Sequence, residues 1–234
     1  MIRALIPDEV NALGIVLLAF VGVLLPIFIV KSARRLGDRP LPISRSRFFR
    51  QTILFQLFLG AIFAWAAHTH GILSMPSPER PLIAWSAAAG MYVGAVLMLK
   101  LRWSSRTAAS KQRLYDILPH DRAELPPYVL LCVVAGIVEE FAYRGVMTEL
   151  AQRLIGITMI TMVAMSIAFA AAHAMQGLRS MAGIFVIALA CHALVWLAQS
   201  LIPVMVVHFA YDLTAGMLIP RWFEASVSAP PAGA

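Results

Sequence analysis

The stretch Val138-Glu139-Glu140-Phe141-Ala142-Tyr143-Arg144-Gly145 sets two adjacent carboxylates and a guanidinium inside an apolar run from Tyr128 to about Met147. A charge at the centre of a bilayer helix costs at least ~2.5–3.5 kcal/mol. Three such groups stay together only if they pair or perform chemistry. Helix geometry divides them. At about 100° per residue, Glu140 and Arg144 share a face and can pair. Glu139 lies well round the helix from Arg144. One glutamate is held by its own helix; the other is available.

The rest of the chain agrees with a membrane setting. Of 234 residues, 60% are hydrophobic and 13% charged, and mean hydropathy is +0.79. Soluble domains are nearer half apolar and a quarter charged. The expected fold is all-α, a polytopic transmembrane helical bundle of about seven spans, with an eighth half-inserted helix as a possible addition. Spans are expected at about 10–30, 52–72, 82–101, from 127 through the motif, 155–175, 181–197 and 201–219. The segment 107–118 reads as a short helix at the membrane surface. Three regions follow. Residues 1–126 form an N-terminal three-span region with two basic cytoplasmic loops, 127–220 a core that carries the charged motif, and 221–234 a disordered tail.

The net charge of +7 is read loop by loop. Two loops are rich in Lys and Arg, around 31–50 and 102–122, and Arg179 and Arg221 fall on the same side. Arg3, Arg80 and Arg153 fall on the other. The positive-inside rule then predicts a multi-pass protein of the cell inner membrane, with the N-terminus outside and the C-terminus cytoplasmic. No basic stripe with interleaved aromatics suggests nucleic acid. Cys132 and Cys191 lie in apolar spans and read as buried small residues, with no disulfide or zinc-ribbon spacing.

Few strongly polar side chains remain inside the spans: Glu139, Glu140, Arg144, His173, His192, His208 and Asp212. Phe169 and His173 are four apart, as are His208 and Asp212, so each pair shares a helix face. Asp212 is placed to accept from one imidazole nitrogen of His208 and so turn the other inward. His192 reads as a helix-bridging hydrogen bonder, His68 and His70 as interfacial residues, and Phe169 as packing or a wall of the site. A carboxylate with two histidines in a water-excluding bundle suits hydrolysis. Glu139 would take a proton from water, a histidine would hold that water, and other donors would stabilise the oxyanion. No serine or cysteine lies in a nucleophile motif. The spans as read contain one mismatch of depth. Glu139 and His208 lie ~18 Å from their cytoplasmic ends, but His173 only about 5 Å from its own.

Three motifs stand in order on separate apolar spans: Glu139-Glu140-Phe-Ala-Tyr-Arg144, Phe169-Ala-Ala-Ala-His173 and His208-Phe-Ala-Tyr-Asp212. Together they resemble the CAAX protease and bacteriocin-processing (CPBP, or ABI) family of intramembrane proteases, which includes the type II CAAX prenyl endopeptidases. The resemblance covers about 127–220. It implies an endopeptidase acting on a membrane-associated or lipidated peptide or protein, with the lipid bilayer as its other partner. By carry-over, Glu139 and His173 would activate water, His208 and Asp212 would form the oxyanion side, and Arg144 would help hold the shape. The prenyl endopeptidases carry Asn where Asp212 stands. An ionised Asp donates no hydrogen bond, which weighs against a direct oxyanion role and leaves open the orientation of His208. The preferred mechanism needs no cofactor. The alternative is one zinc ion on His173, His208 and Glu139 with an open fourth position. The rival functions are a non-enzymatic peptide-binding immunity or scaffold protein and a proton-coupled transporter.

Overall fold

The computed structural model describes residues 9–36, 43–72 and 76–228. Over these residues the chain is all-α, with eight helices. They are α1 (Ala12–Leu36), α2 (Arg45–Thr69), α3 (Pro81–Ser104), α4 (Ala108–Asp116), α5 (Leu125–Ile155), α6 (Thr158–Ala172), α7 (Leu178–Ala198) and α8 (Ile202–Ser228). All but α4 and α6 are long and apolar enough to cross a bilayer, which makes six candidate spans. Their outward faces carry unpartnered apolar side chains such as Phe28, Leu54, Leu82 and Trp196. In water such surface would be costly; against lipid it is not. The chain is a multi-pass membrane protein. The surface helix expected over 107–118 is present as α4, opened by a Thr107 side chain that accepts from the Ser110 amide.

The expected fifth span is the element that differs. α6 has 15 residues and stops at Ala172. Its predecessor α5 runs unbroken past the Glu139-Glu140 motif and ends at Gly156, whose φ of 73° gives the left-handed turn that caps it. A Cβ there would be strained, so glycine fits the turn. From Glu139 to Ile155 the chain climbs ~24 Å; from Thr158 to His173 it returns ~22 Å. His173 thus comes back to the level of Glu139, which removes the mismatch of depth. Beyond it, a 3-10 turn (Ala174–Gln176) and Gly177, at φ 101°, lead into α7. α7 begins beside the end of α3, where Arg106 Nη1 donates to Ser180 Oγ at 2.9 Å.

Helices pack around a common interior in the order α1–α6–α7–α3–α8–α5–α2. The α5–α8 crossing is close because Gly136 has no side chain. A Cβ on it would sit 3.1 Å from both the Met205 carbonyl oxygen and the Phe209 amide nitrogen. Small residues allow such backbone approach in membrane bundles. Further along, the Tyr128 hydroxyl donates to the Asp212 carbonyl at 2.7 Å. An ion pair between Arg45 and Glu124, 3.0 Å apart, ties the start of α2 to that of α5.

Two expectations need correction. His70 is 1% exposed, not interfacial. Its Nδ1 lies 2.7 Å from the Ala66 carbonyl, and its Nε2 accepts from the Asn11 amide at 3.2 Å. The ring satisfies orphan polar groups where α1 starts and α2 ends. His68 is exposed. Residues 221–228 of the tail expected from 221 onward are helical instead: α8 continues through Pro220 to Ser228, and the Trp103 and Trp222 rings, tilted to each other with centroids 5.9 Å apart, hold it against α3. Residues 229–234 of that expected tail lie outside the described residues.

Candidate active site

Glu139 and Glu140 sit where α5 passes from α-helical to π-helical, Phe141–Met147. π turns of this kind insert a residue into a helix and often accompany functional positions. The adjacent carboxylates point apart. Glu140 is 1% exposed. Its Oε1 accepts from Arg144 Nη1 at 3.2 Å and lies 2.7 Å from His208 Nδ1. This one oxygen joins α5 to α8. Glu139, 15% exposed, faces a chamber of about 500 Å³ inside the bundle. Its Oε1 accepts from the Gln56 side-chain amide of α2. Its buried Oε2 has no hydrogen-bonding partner among the described residues.

Two imidazoles converge on that oxygen. His173 Nε2 lies 3.5 Å from Glu139 Oε2, and His208 Nε2 lies 4.0 Å from it. The His173 ring is fixed from behind, since its Nδ1 is 2.8 Å from the Phe169 carbonyl. A carbonyl only accepts, so Nδ1 carries the proton and Nε2 of the neutral ring offers a lone pair toward Glu139. The break at the end of α6 makes this possible. Within a continuing helix the Phe169 carbonyl would be taken by the amide of residue 173, but that amide bonds to Ala170 instead.

Asp212 does not hold the back of His208, as the four-residue spacing had suggested. Glu140 occupies Nδ1, and Asp212 Oδ2 stands 3.4 Å from Nε2, on the chamber side. The reason is the tight α5–α8 crossing. Gly136 lets Phe209 and its neighbour His208 come against the first turn before the glutamates, so the carboxylate across the interface outcompetes the one a turn along. Asp212 is 33% exposed and forms the wetter edge of the site.

Phe169 is a wall shared by the whole set. The Arg144 guanidinium carbon lies 4.1 Å over its ring. Tyr143 meets it edge-on at 5.1 Å, and the rings of His173 and His208 lie 4.5 and 6.2 Å away. Arg144 is therefore held by a carboxylate on one side and an aromatic face on the other. His192 is buried on α7 with its Nε2 unbonded among the described residues. It is neither in the chamber lining nor within bonding distance of the Glu139 set. The residues read from the sequence, Glu139, Glu140, Arg144, Phe169, His173, His208 and Asp212, come together in one place. Gln56 joins them unannounced. Its only signal was a lone amide in the apolar run Ile53–Ile62.

Among the described residues, no group of three or more His, Cys, Asp or Glu side chains is arranged to hold a metal ion. The nearest candidate set, Glu139, His173 and His208, shares its third member with Glu140 and Asp212.

Residues 121–214 match the family model for type II CAAX prenyl endopeptidase Rce1-like proteins. That stretch contains all three motifs, so this part of the chain is similar to that family of membrane proteases. No curated protein and no solved structure matches the chain.

Proposed function

We propose, from the match of residues 121–214 to this family model, that the protein hydrolyses a peptide bond of a membrane-associated or lipidated substrate with water activated by Glu139 and His173. The observation that carries the reading is the convergence of His173 Nε2 and His208 Nε2 on the free oxygen of Glu139. A water between Glu139 and His173 loses a proton to the pair as its oxygen attacks the carbonyl carbon. The oxyanion that forms is met by the Nε2–H of His208. Glu140 steadies that ring through Nδ1 and is itself neutralised by Arg144. Collapse of the tetrahedral species breaks the C–N bond, and the proton taken from water passes to the leaving nitrogen. Preorganised donors in a water-poor site make the largest difference to such a step. Asp212, at the wet edge, places Oδ2 3.4 Å from the His208 Nε2.

The step needs no metal, since a carboxylate and an imidazole together can take the proton from water, and the Arg144 guanidinium beside Glu140 opposes a further cation. The substrate reaches the site from the cytoplasmic side or between helices, through the chamber. α6 with its 3-10 extension forms a seventh, broken crossing. The N-terminus is then outside and the C-terminus cytoplasmic.

A peptide-binding scaffold would need the same chamber but no free carboxylate beside two imidazoles. Membrane proteomics of cells carrying wild type or Glu139→Gln separates the two. Loss of specific new peptide termini in the variant supports hydrolysis. Identical termini, with the variant folded and at normal abundance, would remove it.

A further inference from the structure

The Glu139 carboxylate has one direct hydrogen-bond donor among the described residues, and it comes from outside the three motifs. Gln56 on α2 donates its side-chain amide to Oε1, while Oε2 has no such partner. α2 lies outside residues 121–214. A carboxylate oxygen only accepts, so the amide must present its nitrogen. An amide inside an apolar span is costly unless it is bonded. Thr52, one turn earlier on α2, also lines the chamber, but its hydroxyl is spent on the Phe48 carbonyl at 2.9 Å. Gln56 is the side chain that α2 turns to the reacting end.

Packing brings the amide to this oxygen. Thr52, Gln56 and Gly60 stand four apart and share a face of the helix. Gly60 meets Val138, the residue just before Glu139. A Cβ on Gly60 would lie 3.1 Å from Val138 Cγ2. Valine is stiff about χ1, so a larger residue at 60 would hold α2 off α5. With glycine the two helices close, and Gln56, one turn along, reaches across to the carboxylate. The terminal torsion of a glutamate is broad and roughly two-fold. A carboxylate held only by its stem therefore exchanges its two oxygens. A single donor removes that freedom. It assigns Oε1 to α2 and leaves Oε2 toward His173 Nε2, 3.5 Å away, and His208 Nε2, 4.0 Å away.

We propose that Gln56 is a positioning residue for the hydrolytic step: by holding Oε1 it makes Oε2 the oxygen that takes the proton from water. The N-terminal spans thus complete a site whose three motifs all lie on later helices. The effect on rate rests on the protease reading; the orientation of the carboxylate does not.

The test uses the full chain in lipid nanodiscs. Infrared difference spectra against Glu139→Gln isolate the Glu139 carboxylate. One bonded and one unbonded oxygen make its two C–O bonds unequal, which widens the separation of the symmetric and antisymmetric stretches. Gln56→Leu should narrow that separation whether or not the protein turns over. The substrate is a quenched fluorescent S-prenylated CAAX peptide, the class named for the matched family. On it, Gln56→Leu should lower kcat about 10–100-fold and leave KM within about threefold. Gln56→Glu is the rescue. It donates only while it holds a proton, and two carboxylates in contact keep one between them. Relative to wild type at each pH, its rate should be near normal at pH ~6 and fall away toward pH ~9. A bond that served packing alone would lower the unfolding temperature without this pH dependence. Unchanged stretches in Gln56→Leu, or an unchanged kcat in an active protein, would overturn the positioning role. So would a Gln56→Glu rate that follows wild type at every pH. Narrowed stretches with no cleavage by wild type would uphold the orientation and count against the protease reading alone.

Discussion

Gly136→Ala tests whether the α5–α8 crossing sets the catalytic geometry. The added methyl would lie 3.1 Å from the Met205 carbonyl oxygen, 3.1 Å from the Phe209 nitrogen and 3.3 Å from Phe209 Cβ. Two of these atoms are backbone of one rigid helix, so no rotamer change relieves them. Ordinary contact begins at about 3.4–3.6 Å, so α8 must move away by roughly 0.3–0.5 Å. The Glu140–His208 bond, 2.7 Å long, bridges that interface and would lengthen by a similar amount. Overpacking of this kind costs ~1–3 kcal/mol. Displacements approaching 1 Å at a reacting centre cost about 100-fold in rate, so a loss on the order of 10-fold is expected here. The assay pairs cleavage rate with thermal unfolding in detergent. Gly94→Ala is the control. A Cβ there meets nothing within 4 Å, and Ala is the better helix former by ~1 kcal/mol. Gly136→Ala with wild-type rate and wild-type unfolding temperature would show that the crossing does not position the site.

Other outcomes follow from single contacts. Glu140→Gln should lower the unfolding temperature sharply, because removing one partner of a buried ion pair costs ~3–5 kcal/mol; unchanged stability would mean that Arg144 is held by Phe169 alone. Purified protein should carry much less than one zinc per chain and keep its activity through prolonged chelation; stoichiometric zinc, with activity lost on removal and restored on return, would refute the metal-free step. Cysteines placed at Ser46 and Ser105 should be labelled from the cytoplasmic face and one at Ser77 from the other; labelling of positions 46 and 77 from the same face would break the topology.

The sequence carried the site further than it carried the fold. Glu139, Glu140 and Arg144 are legible because charge in an apolar run is expensive, and the spacing of four between Glu140 and Arg144 survives into a 3.2 Å ion pair. Partners on different helices are not legible that way. Periodicity along α8 pairs His208 with Asp212, but nothing local says that Gly136 lets Glu140 reach Nδ1 first. Gln56 is hidden for the same reason: its meaning depends on α2 lying beside α5. The end of α6 was misread because hydropathy continues through Ala174 and Met175 while the backbone does not; the deciding feature is the packing that takes the Phe169 carbonyl for His173.

The glycine turn at 156 makes α6 a gauge. The height at which His173 meets Glu139 is set by counting residues from that turn, down one helix and back along the next. Deleting a single residue from 158–172 would draw the imidazole ~1.5 Å away and swing it by about 100°, with every hydrophobic contact still available to be remade. The same deletion in the connection between α3 and α4 would leave the gauge unread. Length variation in this chain is therefore tolerable in its loops and intolerable in its shortest apolar helix, the reverse of what helix length alone would suggest.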